Sequence, residues 1–208
     1  MSMGSDISRN RRIPLQERGE RRVAELLEAA ASEFAEVGYD RATMKAIAKR
    51  AGASIGAIYQ YFPDKAAVAS ALRILYVNEM EDRWMKVEEA TAALSVKQRI
   101  QRFVDTMIRF MGEHPSYITI LDAPADSKRD KETRARLRAR LANVFQTRRP
   151  GVSPEHAYRV ACVALQMIKS MNALYAEAKP QERLEIVEEY KVALTAYIEK
   201  RLLHRKKQ

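Results

Sequence analysis

A chain of 208 residues with 47% hydrophobic side chains can bury one large or two modest cores. Its 37 Lys and Arg against 27 Asp and Glu leave a net charge of +10, a balance that favours a polyanionic partner. The single cysteine, Cys162, excludes an internal disulfide; no apolar run approaches the roughly 18 residues of a membrane span, and residues 1–12 lack the apolar stretch of a signal peptide, so a cytoplasmic protein without a membrane partner is expected.

Only 7 glycines and 7 prolines punctuate a chain rich in Ala, Leu, Glu, Arg and Lys, and apolar residues rarely alternate with period two, so the fold class expected is all-α. Residues 1–17 read as a basic arm, with Arg9, Arg11 and Arg12 placed to lie on a nucleic-acid backbone or enter a minor groove. From Arg18 the pattern is helical: Val23, Leu26, Leu27, Ala30, Phe34 and Val37 form one stripe, and Gly38 is a natural stop. Thr43 caps a short second helix with Ile47, Ala48 and Ala51 on its apolar face, Gly52 ends it, and Ser54 caps a third helix running through Tyr61. Pro63 breaks the chain, and Asp64 starts a fourth helix over residues 64–90, about 40 Å long at 1.5 Å per residue, able to tie one domain to another. Later helices are expected at 95–112, 114–122, 127–147, 154–178 and 181–203, separated by Pro115, Pro124, Pro150-Gly151, Pro154 and Pro180, and the tail from His204 reads as frayed.

The two short capped helices around Ala51-Gly52-Ala53 have the layout of a helix-turn-helix. On a helical wheel, Ile55, Ile58 and Phe62 face the core, Gly56, Ala57 and Gln60 face outward, and Tyr59 and Tyr61 flank that outer face. A small, polar outer face lets a helix sit deep in a major groove, where Gln60 can pair with an adenine edge and Ala57 can touch a thymine methyl. Thr43 puts a hydroxyl and a helix start where a phosphate can bind, with Lys45 and Lys65 beside it. Five basic residues (Arg41, Lys45, Lys49, Arg50, Lys65) against one acidic (Asp64) reinforce the reading.

The stretch TMKAIAKRAGASIGAIYQYFPDK resembles the helix-turn-helix of the TetR family of transcriptional regulators through Thr43, Ile47, Ala48, Ala51, Gly52, Ser54, Gly56, Tyr59, Tyr61, Phe62 and Lys65; Ala53 departs from the usual valine. The resemblance covers about residues 18–70. It implies phosphate contacts from Thr43, Tyr59, Tyr61 and Lys65, and base contacts from Lys45 and residues 54–60: Ser54, Ile55, Gly56, Ala57, Tyr59 and Gln60. Ile55 remains ambiguous, since its wheel position favours the core. It further implies a DNA-binding domain at 18–65 joined by the long helix to a ligand-binding and dimerisation domain at 66–208. The function expected is a homodimeric repressor released from double-stranded operator DNA by a small, largely apolar effector; the alternative is a constitutive or architectural family member without an inducer. A helical interaction protein with no DNA role is the reading from another class.

Residues of the C-terminal part give some independent support. Helix 154–178 is apolar around much of its circumference, through Ala157, Val160, Ala161, Ala164, Ile168, Met171 and Tyr175 with Tyr158, Cys162, Leu165 and Met167, so it must be covered on more than one side. With helix 181–203 it looks like half of an intersubunit four-helix bundle. Trp84, Met85, Phe103, Met107, Phe110, Met111, Tyr117, Phe145, Met167 and Met171 are candidate pocket residues, as large adaptable side chains, with Asp105, Asp122 or Asn172 as polar anchors if they point inward. The three histidines lack metal-ligand spacing, with His114 read as a helix-start residue and His156 as an exposed first-turn one. Cys162 reads as a buried small hydrophobe. No phosphate loop, nucleophile elbow or H-E-x-x-H motif occurs, so no catalytic residue, metal or cofactor is expected, nor an enzyme.

Overall fold

The computed structural model describes residues 15–203 apart from 92 and 126. The described residues form helices α1 (Leu15–Arg41), α2 (Met44–Arg50), α3 (Ile55–Tyr59), α4 (Lys65–Ala90), α5 (Val96–Glu113), α6 (Tyr117–Asp122), α7 (Lys128–Arg148), α8 (Pro154–Glu177) and α9 (Arg183–Ile198), the last running into a π-helical turn at Glu199–Leu203. The basic arm, with Arg9, Arg11 and Arg12, and the tail from His204 lie outside the described residues, while residues 15–17, expected in the arm, belong to α1.

Helix starts follow local chemistry. Thr43, Ser54, Asp64, Ser95, Ser127 and Ser153 each accept a hydrogen bond on the side chain from the backbone N–H three residues on, satisfying a donor that the first helical turn leaves open. At Ser95 the Gln98 side chain reciprocates toward the Ser95 backbone N–H, completing a capping box. Gly38, at φ 78° and ψ 168°, interrupts α1 where the sequence pattern stops it, a conformation other residues adopt only with strain. His114, expected at the start of a helix, instead closes α5 and leans on the Phe110 and Tyr76 rings at 4.2 and 4.9 Å. The turn that follows delays α6 until Tyr117.

Helix α1 packs against α2, α4 and α6; α4 runs from α1 along α5, α6 and α7; α7, α8 and α9 pack in sequence, and α9 returns to α5. One core cluster is continuous from Leu26, Phe34, Ile47 and Ile58 through Val68, Leu72 and Tyr76 of α4 to Phe110, Ile120, Met171 and Leu194. A smaller cluster joins Ala142 and Phe145 of α7 to Ala157, Val160 and Ala161 of α8, where alanines let the two helices approach closely.

Polar groups hold the junction of α4, α6 and α7. Arg73, 6% exposed, donates through Nε and Nη2 to the Ile120 carbonyl at 3.0 and 2.8 Å and through Nη2 to Ala123 O at 2.9 Å, so it serves the carbonyl end of α6. Its Nη1 reaches Asp130 Oδ1 at 2.7 Å, in the first turn of α7. Ser70 and Ser127 donate to the other Asp130 oxygen at 3.0 and 2.5 Å. Desolvation pushes the Asp130 carboxyl up, but the hydrogen bonds from Ser127 and Arg73, the Arg73 charge and Ser70 together hold it below its ordinary value of 3.8. Because folding lowers this pKa, the carboxylate's contribution is complete above the unfolded value of about 3.9 and is lost as pH falls through the folded one. Asp130→Ala should cost about 3–5 kcal/mol in urea unfolding at neutral pH, because it strands a buried guanidinium, and the gap to the parent should narrow below the unfolded carboxyl pKa.

Candidate nucleic-acid interface and the cavity behind it

Helices α2 and α3 are joined by a turn held mainly by local hydrogen bonds, with Arg22 Nη1 of α1 also donating to Ala51 O at 3.4 Å. Gly52 N–H donates to Lys49 O at 3.1 Å and Ala53 N–H to Ala48 O at 2.8 Å, and Gly52 takes φ 59° to make the corner. Thr43 Oγ1 accepts from Ala46 N at 3.1 Å and Ser54 Oγ from Ala57 N at 3.2 Å. Ile47, Ala48, Ile58 and Phe62 are buried against α1 and fix the orientation of α3. Thr43, Lys45, Ser54, Ile55, Gly56, Tyr59, Gln60 and Tyr61 are exposed and Ala57 is half-exposed, so the expected contact residues other than Lys65 are accessible.

Four details differ from the sequence reading. The third helix ends at Tyr59, with Gln60 as its cap and Tyr61 in the turn after it, where Tyr61 and Phe62 N–H both donate to Ile58 O. Ile55, placed toward the core by the wheel, is 45% exposed: the wheel assumed a continuous helix, whereas Ile55 opens a five-residue one and projects past the end of the core. Lys65 is turned inward. Its Nζ donates to Tyr39 O at 2.6 Å and Asp40 O at 3.0 Å and lies 4.4 Å from the centre of the Tyr39 ring, so its charge closes the end of α1. Arg50, counted among the basic residues of the motif, pairs with Glu33 and Glu36 of α1 at 3.1 and 2.5 Å. Of the remaining basic residues of the motif, Arg41, Lys45 and Lys49 are all exposed, Arg41 with its Nε bonded to Val37 O at 2.9 Å.

Behind this region α4, α5, α7, α8 and α9 enclose a cavity of about 430 Å³. Trp84, Phe103, Met107, Phe145 and Met171 of the expected pocket residues line it, as does Met85. Phe110, Met111 and Tyr117 do not: further along α5 and into α6 the volume is filled by edge-on and tilted rings of Tyr76, Phe110, His114 and Tyr117, with Tyr76 Oη 2.7 Å from Ser116 Oγ. Burial raises the Tyr117 phenol pKa well above normal, as suits a structural ring. Met167 does not line the cavity either: Ala164, Ile168 and Met171 present that face of α8, and Met167 packs half-buried against the main core.

Of the polar anchors considered, Asp105 is exposed and pairs with Lys191 at 2.7 Å, and Asp122 is exposed. Asn172 is buried beside Met107 Sδ at 3.8 Å. The polar groups that do line the cavity include Glu81, Glu88, Arg99, Arg140, Arg148 and Arg149. A wheel centred on Trp84 could have found Glu81, one turn earlier on the same helix; the arginines come from α5 and α7 and required the packing. Desolvation lowers the Arg99 pKa, Glu88 at 3.9 Å opposes this, and Arg148 and Arg149 add to the lowering. Cys162 is half-buried rather than buried. His156, also half-buried, has Nε2 3.0 Å from Arg201 O. Ligand atoms of Glu79, Glu113 and His114 come within 4.8 Å of one another, a grouping that sequence spacing hides, but Arg83 already bridges the two carboxylates at 2.6 Å each. No helix among the described residues is long and apolar enough to cross a membrane.

Comparison with known proteins places these features in a family. Residues 26–72 match the family described as bacterial regulatory proteins, tetR family, and residues 95–198 match the tetracyclin repressor-like C-terminal domain. An uncharacterized HTH-type transcriptional regulator of Mycobacterium tuberculosis is 49% identical over 47 residues, which span 23% of this chain and 24% of that protein; the match therefore covers about a quarter of the relative. A TetR-family transcriptional regulator from Streptomyces coelicolor superimposes with a TM-score of 0.69 at 25% identity over 87% of this chain and 99% of that one. The regulator FadR from Bacillus subtilis, solved in complex with stearoyl-CoA, shares the fold with a TM-score of 0.61 at 15% identity, over 84% and 97% of the two chains. With the helix-turn-helix and the helical domain behind it both matched, the chain belongs to the TetR family of bacterial transcriptional regulators.

Proposed function

We propose that this protein is a homodimeric repressor that binds a near-palindromic operator through α3 and is released by a small, largely apolar effector held in the cavity. The observation that carries the reading is that α4 serves both ends. Its first residue, Lys65, closes the end of α1, and its last turns, from Glu81 to Glu89, wall the cavity. A rigid helix of 26 residues transmits a displacement at one end to the other. In this reading residues 18–65 act as the DNA-binding unit, residues 66–208 as the effector and dimerisation unit, and the site of action is the cytoplasm. The stearoyl-CoA held by FadR supports an apolar effector by analogy of fold alone.

For DNA, Gln60, Ala57 and Ser54 face the bases, Tyr59, Tyr61 and Thr43 face the phosphates, and Lys45 adds charge beside them. Ile55 and Gly56, both exposed at the start of α3, are assigned to apolar and close backbone contact. Lys65 acts as a positioning residue through its bonds to Tyr39 and Asp40, with its remaining N–H available to a phosphate. For dimerisation, Val163 and Leu174 of α8 are each 44% exposed, and Leu184 and Val192 of α9 are 72% and 64% exposed. Apolar stripes on two adjacent helices form a face that a second copy can cover. Two bound recognition helices would then enter successive major grooves about 34–36 Å apart.

The primary test is binding of the protein to duplexes from its own upstream region at physiological salt; binding no tighter than to random duplex ends the operator reading. Lys45→Ala should weaken binding to every duplex and reduce the slope of log affinity against log salt by about 1. Gln60→Ala should instead relax discrimination at one base pair by about 1–3 kcal/mol and leave the salt slope unchanged. Sedimentation should find a dimer for the parent and a monomer of unchanged helicity for Val163→Asp/Val192→Asp; a parent that sediments as a monomer at micromolar concentration removes the dimer from this account.

A further inference from the structure

The cavity wall is apolar over most of its area, yet two of the residues that line it, Glu81 and Trp84, each hold a buried polar atom, Oε1 and Nε1, with no hydrogen-bond partner among the described residues. The Glu81 side chain is only 5% exposed, and its other oxygen lies 3.3 Å from Arg140 Nη1 and 3.5 Å from Arg136 Nη2. One oxygen of this carboxylate is therefore charge-balanced and the other is a buried acceptor without a partner. Trp84 follows Glu81 by three residues on α4, so the two side chains leave the helix on the same face, one turn apart. A buried acceptor and a buried donor without protein partners are costly, and a ligand group that serves both is selected by them.

We propose that Glu81 and Trp84 form a hydroxyl-recognition subsite, and that the effector is a neutral apolar molecule bearing an alcohol or phenol. Its O–H donates to Glu81 Oε1, and its oxygen accepts from Trp84 Nε1. A hydroxyl does both with one atom. A carboxylate or phosphate cannot donate to Glu81 and sets like charge against it. An ammonium meets a carboxylate already balanced by Arg136 and Arg140, in a cavity also lined by Arg99, Arg148 and Arg149. The apolar body fills the space bounded by Phe103, Met107, Leu141, Phe145 and Met171. This rests on the effector reading above and names the chemistry of that site.

Trp84 is the only tryptophan, so its fluorescence reports directly on the subsite in the full-length protein. The probes are para-hexylphenol, its methyl ether, which keeps the acceptor but lacks the donor, and para-hexylbenzoate, which is anionic. The phenol should bind at least about tenfold more tightly than the ether, because the ether leaves Glu81 unserved, and more tightly than the benzoate. In Glu81→Met the phenol and ether should bind within about twofold of one another, with circular dichroism confirming the fold. Should that variant not fold, Trp84→Phe, followed by calorimetry, should likewise compress the difference between phenol and ether.

Equal binding of phenol and ether to the parent, or tightest binding of the benzoate, overturns the hydroxyl subsite. If no probe binds, the subsite and the effector reading fall together. If the phenol binds as expected but leaves affinity for the operator unchanged, the subsite stands and the effector reading falls.

Discussion

The guanidinium of Arg73 is the joint of this molecule. It sits on α4, takes up the carbonyls at the end of α6 and pairs with Asp130 in the first turn of α7. A buried ion pair survives only when its remaining donors and acceptors are also served, and here Ile120, Ala123, Ser70 and Ser127 serve them. The consequence is directional. Helix α7 lines the cavity through Leu137, Leu141, Val144 and Phe145, and α6 packs on α1, which carries the helix-turn-helix. Arg73 thus joins the helix that lines the cavity to the one that packs on α1.

The same economy governs the helix-turn-helix. Two of its basic side chains are engaged in building it: Arg50 ties α2 to Glu33 and Glu36, and Lys65 closes α1. The exposed residues left are short polar and aromatic groups together with Arg41, Lys45 and Lys49. The core of this unit is continuous through Val68 and Leu72 with that of the helices behind, so the two regions share packing as well as a connecting helix.

Much of this was legible in the chain. Thr43, Ser54 and Asp64 cap because a short side-chain acceptor at a helix start is local chemistry, and Gly38 and Gly52 adopt positive φ because only they do so without strain. The helix-turn-helix spacing, the long fourth helix and the inward side of Ile58 follow from the same local rules, which is why residues 43–65 announce the family so clearly. The reading carried the third helix two residues too far, to Tyr61, and turned Ile55 toward the core although it opens the helix exposed.

What tertiary structure decided is which apolar residues face space and which face one another. Along α5, Phe103, Met107, Phe110 and Met111 lie on similar helical spacing, but the first two border the cavity and the last two are buried away from it, Phe110 against the rings of Tyr76 and Tyr117. Charge was divided in the same way: Lys65 and Glu81 carry ordinary side chains, yet one closes a helix and the other is held inside an apolar wall. The sequence alone determines helix, cap and corner, since those depend on neighbours within four residues. Cavity, joint and the direction of each charge depend on helices brought together from distant parts of the chain, and only their packing settles them.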